Sequence, residues 1–458
     1  MKGLDRRLRN LQQRLGPREE LIAVIVVGLL AASGLAFTLI TNQGTPAGEA
    51  LAYMAAVDRA DTNYVWSHSI IDSSKASSAD VSLLDRGALV AQLAAGAHTR
   101  SGFTVQGVSD TSSGVMATVS YSTSAGRQTR NLAMRGESPH SWPVRIEPAG
   151  LDINVPTGAG ALGIDGQAIA ASPGTELKVA VFPGTHQMTL AATQLYSAYK
   201  GAADAESALP ALTAVSFAKV ELTGGAATAA EKVVSEAIKA CAGADVLFPS
   251  GCPQQYRQDV SSGTASWTLL GDPMAGAAAG LDDKSELVVS GRFLMQLSYG
   301  SELTHRTRVL AVGGPYLAAL AWDGQAFKVT GFPDATAVPA LPRPAATDMQ
   351  VLDAVKAEFD ACLKLQGGEA LGCPQRVISL YGANFVWHTN GDPMQGAVVG
   401  WDGGRGTFSV TGNFDFSVDY DSTPPNSPTR HYTDHSSGHY VADLYWDGST
   451  IVFIGLES

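Results

Sequence analysis

Cysteine is nearly missing from this chain, with 4 in 458 residues and none before Cys241. Charge is thin as well, at 16 % of residues, and its balance is acidic: 31 Lys and Arg stand against 43 Asp and Glu. Each shortage removes a class of function. With no cysteine beside the apolar stretch near the N-terminus, a lipid-modified anchor is excluded. A formal net charge of −12 opposes binding to nucleic acid or to wall polyanions as a whole-surface effect, and no nucleic-acid partner is expected. There is no Gly-rich phosphate loop, no dinucleotide fingerprint and no His-Glu-x-x-His sequence. The sequence therefore assigns no cofactor, no metal ligand and no catalytic residue.

What the chain does contain is the same passage twice. Cys241, Gly251-Cys252-Pro253-Gln254, Trp267 and Gly271-Asp272-Pro273-Met274 return as Cys362, Gly372-Cys373-Pro374-Gln375, Trp387 and Gly391-Asp392-Pro393-Met394. Gly291, Phe293, Tyr299, Tyr316 and Trp322-Asp323-Gly324 return as Gly412, Phe414, Tyr420, Tyr440 and Trp446-Asp447-Gly448. The spacing between landmarks slips only slightly, as the loops of a duplicated domain would. The repeated residues are mostly glycines, prolines, cysteines and aromatics, which set turns and cores. Hardly any is an acid, a base or a nucleophile.

Residues 21–41 carry no charge and are long enough for the roughly 20 residues that a membrane-crossing helix needs. Lys2, Arg6, Arg7, Arg9, Arg14 and Arg18 precede them, against Asp5, Glu19 and Glu20. The positive-inside bias predicts a cytoplasmic tail over 1–20, a transmembrane helix through the lipid bilayer over 21–41, and everything beyond on the outer side of the cell membrane. A cleaved signal peptide would have an apolar region of about 7–15 residues, with its small residues after that region rather than inside it at Ala31 to Ala36. Outside the membrane, paired cysteines read as disulfides. Zinc would need closer ligand spacing and histidines at fixed offsets. Cys241–Cys252 and Cys362–Cys373 are favoured over the other pairings, because each repeat should close its own bond. Each would staple a loop of about 10 residues and contribute ~2–3 kcal/mol.

Along the outer chain, Glu49 to Asp58 and the stretch through Leu83, Leu89 and Leu93 have helical periodicity. Alternation then takes over at Phe103-Val105, Met116-Thr118 and Leu132-Met134, and ends on Trp142-Pro143-Val144. With the Asp58-Arg59-Ala60-Asp61 step, this order over 47–149 resembles the NTF2-like (cystatin-like) domains found outside the membrane in bacterial envelope proteins. The resemblance implies a curved sheet around a helix, with a conical pocket. Residues 150–195 form a small all-β module, with a hairpin turn at Asp165-Gly166 and a Pro183-Gly184-Thr185 step before a return strand over Gln187 to Ala192. This module resembles the PEGA type. The pair resembles the extracellular part of the teicoplanin-resistance-associated membrane protein family, whose cytoplasmic zinc ribbon has no counterpart here. A helical connector is expected over 196–227. Repeat 1 then covers 228–332, a Pro/Ala linker 333–347 and repeat 2 348–458. Each repeat opens on a helix ending near its first cysteine and continues as strands. This layout of tandem Cys-x10-Cys-Pro repeats resembles actinobacterial single-pass membrane proteins of unknown function.

Few residues suggest chemistry. Asp61, His68, Asp85 and His98 are available to an NTF2-like pocket, but no spacing joins them. Ser-x-x-Lys occurs at Ser197–Lys200 and Ser216–Lys219, without the Lys-Thr-Gly strand of penicillin-interacting enzymes. His431, His435 and His439, with Asp434 among them, follow Pro424, Pro425 and Pro428 and read as a long solvated loop rather than a metal-binding helix face. Asp272-Pro273-Met274 and its twin read as turns. Trp267, Trp387, Trp322 and Trp446 are candidate ligand-contact aromatics, since aromatic faces stack on sugars. Their alternating strand positions favour core residues over ligand contacts.

The expectation is an α+β multidomain ectodomain behind one N-terminal transmembrane helix: an NTF2-like domain, a small β module, and two homologous disulfide-closed α+β repeats. Its function would be non-catalytic, a membrane-anchored cell-envelope protein that binds, senses or scaffolds at the wall side of the membrane, with peptidoglycan or envelope proteins as partners. The alternative is an envelope enzyme with its site in the NTF2-like pocket or between the repeats.

Overall fold

The structure, a computed structural model, describes residues 44–457 apart from 77–78, 125, 137–140, 206–208, 257–264, 302–305, 336–337 and 370–371. The expected cytoplasmic tail over 1–20 and the expected transmembrane helix over 21–41 lie outside the described residues. Among the described residues, no helix is long and apolar enough to cross a membrane. The chain is mixed α and β, with strands dominating, and divides into two compact units. The first takes in the chain up to Val155 together with Ala159–Ala191 and Ala198–Ser216. The second takes in Pro156–Gly158, Ala192–Ser197 and everything from Phe217 onward.

In the first unit, α1 (Pro46–Asp58) starts where the Thr45 hydroxyl accepts the Gly48 N–H and a proline occupies the first turn, both favourable at a helix start. It buries Ala50, Tyr53, Met54, Ala56 and Val57. Next come α2 (Thr62–Ser67), β1 (Ser69–Ile71), α3 (Arg86–Ala95), β2 (Ser101–Thr111), β3 (Gly114–Thr123), β4 (Gly126–Met134) and β5 (Val144–Ile146). The sheet order is β1-β5-β4-β3-β2, antiparallel except where β1 joins β5. Helix α1 lies on β2 and β3. Strand β3 buries Val115, Ala117 and Val119, every second residue, which is the periodicity of a sheet with one covered face.

The remainder of the unit is β6 (Ala149–Asn154), β7 (Leu162–Ile164), β8 (Gln167–Ile169), β9 (Glu176–Val181), β10 (Gly184–Leu190), β11 (Tyr199–Ala205) and β12 (Leu212–Val215). They form two sheets, β11-β10-β7-β8 and β12-β6-β9. The Pro183-Gly184-Thr185 step is therefore not a hairpin between β9 and its return strand. It carries the chain from one sheet to the other, because β9 pairs with β6 and β10 with β7 and β11. The expected helical connector over 196–227 is also corrected: β11 and β12 occupy it, and the next helix begins only at Gly224. Alanine content suggested helix, but pairing along the whole of β10 outweighs so small a local preference.

The second unit holds the two repeats. The first comprises α4 (Gly224–Cys241), β13 (Ser266–Leu269), β14 (Ala278–Leu281), β15 (Leu287–Ser301), β16 (Arg306–Trp322) and β17 (Phe327–Gly331). The second comprises α5 (Asp348–Cys362), β18 (Gly382–Thr389), β19 (Val398–Asp402), β20 (Thr407–Ser422), β21 (Arg430–Trp446) and β22 (Ile451–Glu457). The sheets run β13-β15-β16-β17, with β14 also on β15, and β18-β20-β21-β22, with β19 also on β20. Even the irregularities recur, with a register shift at Ala319/Leu320 and another at Asp443/Leu444. Helix α4 buries Ala230, Val234, Ile238 and Cys241, and α5 buries Val351, Val355, Phe359 and Cys362, one stripe at helical spacing in each copy.

The repeats meet through unlike faces. Strand β16 of the first lies against β22 of the second. Arg308 pairs with Glu457 at 2.9 Å, and the Ala311 N–H donates to Asp443 Oδ2 at 3.3 Å. A side chain at Gly455 would put its Cβ 2.2 Å from the Val309 carbonyl oxygen, so only glycine permits this approach. The linker over 333–347 is fastened to both copies. Arg292 donates to the Val338 carbonyl at 3.0 Å, the Leu341 N–H to the Gly403 carbonyl at 2.9 Å, and the Trp401 indole to the Leu341 carbonyl at 3.1 Å.

Candidate functional site

The disulfides Cys241–Cys252 and Cys362–Cys373 are formed, each spanning a sequence separation of 11. Each returns the following Cys-Pro-Gln segment to the C-terminal end of its helix. There the buried Gln254 amide donates to the Cys241 carbonyl at 2.7 Å, and Gln375 to Cys362 at 2.9 Å. The last carbonyls of a helix have no partner within it, so this glutamine is a side-chain cap.

The Gly-Asp-Pro-Met loops are turns with a second task. Asp272 and Asp392 each accept the N–H of the following methionine at 2.9 Å. The carbonyls of the buried prolines Pro273 and Pro393 accept the buried hydroxyls of Tyr316 and Tyr440 at 3.0 and 2.9 Å. Gly291 and Gly412 face those rings: a Cβ would lie 2.5 and 2.6 Å from the phenol oxygens. Burial, aided by Asp392, pushes the Tyr440 phenol up to about 12, and burial followed by Glu231 and Asp272 raises Tyr316 in the same direction. Asp447 of the Trp-Asp-Gly turn is held down at about 2 by the N–H groups of Thr450 and Ser449, and Asp323 is lowered in the same way by Ala326 and Gln325.

The other candidates are engaged locally. Asp61 caps α2 by accepting the Tyr64 N–H, and Asp85 caps α3 by accepting that of Ala88. His68 stacks on Tyr64 with ring centroids 3.9 Å apart and directs Nδ1 at the Tyr64 carbonyl, while His98 is an exposed turn residue with φ 56°. Ser197 and Ser216 lie beside β11 and β12, so neither Ser-x-x-Lys pair is on a helix. The histidine reading needs correction. His431, His435 and His439 are not in a loop but on β21, and the prolines mark the turn between β20 and β21. Residues an even number apart on a strand share a face, so these histidines stand exposed opposite Asp421, Ser417 and Asn413. His388 of β18 joins them through Asp419 at 3.3 Å. Among the described residues no group of His, Cys, Asp or Glu is arranged to hold a metal ion.

The four tryptophans separate into different roles. Trp267 and Trp387 are 4 % and 5 % exposed, and their indole N–H groups donate to the Val246 and Gly367 carbonyls, both at 2.9 Å. Trp446 is half-buried against the core of the second repeat. Trp322 lines a cleft of about 410 Å³ within the second unit. One wall is Gln194–Leu195, pinned by the Thr223 hydroxyl on the Gln194 carbonyl at 2.8 Å and the Thr223 N–H on Leu195 at 2.8 Å. A second is the start of α4, at Gly225, Ala226, Ala229, Lys232, Val233 and Glu236, and the third is the β16–β17 turn with Gln325, Ala326 and Phe327. Trp322 is braced by Phe327, with ring centroids 4.8 Å apart, and by Gly158, where a Cβ would come 3.3 Å from the indole. Its aromatic face made Trp322 a candidate in the sequence, but Lys232, Glu236 and Gln325 carry no signal without the fold. A second cleft, of about 560 Å³, lies between the repeats beside Cys373. Its charged lining is already paired, Arg308 with Glu457 at 2.9 Å and Arg376 with Glu369 at 3.6 Å.

Comparison with known proteins finds no matching family model, no similar curated protein and no similar solved structure.

Proposed function

We propose that this chain is a non-catalytic, membrane-anchored cell-envelope protein whose outer part binds material at the wall side of the membrane. The apolar run over 21–41, with its basic flank, supports the anchor and its orientation. Two closed disulfides are compatible with an oxidising location. The reading of residues 47–149 as NTF2-like rests on the element order, helices followed by a meander with one covered face. The observation that carries the binding role is the Trp322 cleft: a half-exposed indole in a concavity whose walls are fixed by backbone hydrogen bonds and ring packing, as pre-formed binding sites are. The residues that duplication kept in both copies serve caps, turns and core, which supports a shared scaffold on which one copy acquired a site.

The test is sedimentation of the full chain, solubilised in detergent, with purified peptidoglycan, alongside affinity capture from solubilised membranes. Retention on peptidoglycan is the expected result. Capture of membrane proteins without peptidoglycan retention would replace wall binding with scaffolding, and neither would overturn the reading.

A further inference from the structure

We propose that the Trp322 cleft is a saccharide site, taking a neutral pyranose ring of a glycan. This rests on the envelope-binding reading above and deepens it.

Three observations carry the inference. The Trp322 indole packs against Phe327 and close to Gly158, and it is only half-buried where it lines the cleft. Gly225 and Ala229 of α4 line the same cleft, and their small size leaves room beside the indole for a saturated ring. An aromatic face offers such a ring an apolar bed without asking it to lose its hydroxyl hydration. A volume of about 410 Å³ falls in the range of small-ligand sites.

The rim then chooses the charge of the occupant. Lys232 and Glu236 stand one helical turn apart, both exposed, and among the described residues neither has an ion-pair or hydrogen-bond partner. One cation and one anion within the same reach cancel the attraction for either sign of ligand. A hydroxyl suits both, accepting from an ammonium and donating to a carboxylate, and the exposed side-chain amide of Gln325 offers a third donor and acceptor. A polyol with no net charge is the chemistry that satisfies this rim.

The site belongs to the first repeat alone. At the places on α5 that correspond to Ala229, Lys232 and Glu236, counted from the shared cysteine, the second repeat has Gln350, Asp353 and Ala357. Gln350 is committed there to a capping box with Thr347. The two copies therefore differ at the residues this proposal uses.

The experiment is saturation-transfer NMR on the full chain in detergent, with the β-1,4-linked disaccharide of N-acetylglucosamine as the probe. Transfer to the sugar ring protons is expected, and Trp322→Ala weakens binding about tenfold, the loss of one stacked ring. Because that variant removes packing as well, Ala229→Phe is the second test: an exposed helix position that fills the slot and leaves Trp322 in place. It too removes the transfer. Absence of transfer to the wild type, or undiminished transfer to Ala229→Phe, overturns the proposal. If the wild type nevertheless sediments with intact peptidoglycan, the saccharide site fails and the envelope reading stands. If it does neither, both fail.

Discussion

A buried tyrosine hydroxyl in each repeat shows what the duplicated residues do one at a time. Tyr316 and Tyr440 reach across their sheets to a proline carbonyl, and each needs a glycine beneath the ring. The consequence for alkaline stability has a definite sign. Tyr440 is neutral in the folded protein up to about 12, whereas an unfolded tyrosine ionises near 10. The stabilisation is full below the lower value and is lost as pH rises between the two, because only the unfolded state releases its proton there. Tyr440→Phe flattens that slope, and it costs about 1 kcal/mol at neutral pH through the lost hydrogen bond. Denaturant unfolding at neutral pH and at about pH 11, wild type against variant, checks both halves. An unchanged slope would remove Tyr440 from the account.

At the level of elements, the helix that opens each repeat depends on a staple and a cap. Cysteine pairing holds the Cys-Pro-Gln segment where Gln254 and Gln375 can take the carbonyls of Cys241 and Cys362. Replacing Cys362 and Cys373 together by alanine removes both effects, and unfolding of the second repeat is expected to become easier by ~2–5 kcal/mol, read by hydrogen exchange in α5. Exchange in α4 stays as it was. Elements of this kind were legible in the sequence because their signals are local: the helix that ends near each first cysteine, the paired cysteines, and the alternation at Met116-Thr118 and Leu132-Met134. Others were not. The stretch over 199–215 contains alanines that favour helix weakly, and only its pairing with β10 and β6 decides for strand. The histidines of β21 follow three prolines, and sequence alone cannot tell a proline-rich hairpin turn from the start of a long loop. The Trp322 cleft is hidden for a different reason. Its walls come from residues far apart in the chain, Gln194, Lys232 and Gln325 among them, and no spacing rule connects them.

For the paired repeats as a whole, Gly455 is the position with least freedom. Gly455→Val drives a side chain into the Val309 carbonyl and is expected to open the seam, at a cost of about 1–3 kcal/mol. Gly331 occupies the same place in the first repeat and faces open space, so Gly331→Val is the matched control. Limited proteolysis within 333–347 reads the difference: faster cleavage in the first variant only. Equal rates would mean that the seam does not depend on this contact.

The seam also gives the tandem a direction. An interface built from one face of the first copy and a different face of the second has a head and a tail, and nothing in its symmetry closes it. A further copy would dock where the outer face of β21 stands, and there Thr433 and His435 replace the buried Val309 and Ala311 of β16. These polar residues make that face a poor seat for a further copy, as the outer faces of capping repeats are in longer arrays. The order of the copies is therefore fixed in their sequences. Exchanged, the chain would place Thr433 and His435 in the buried seam and leave Val309 and Ala311 open to solvent, an adhesive face in place of a polar one.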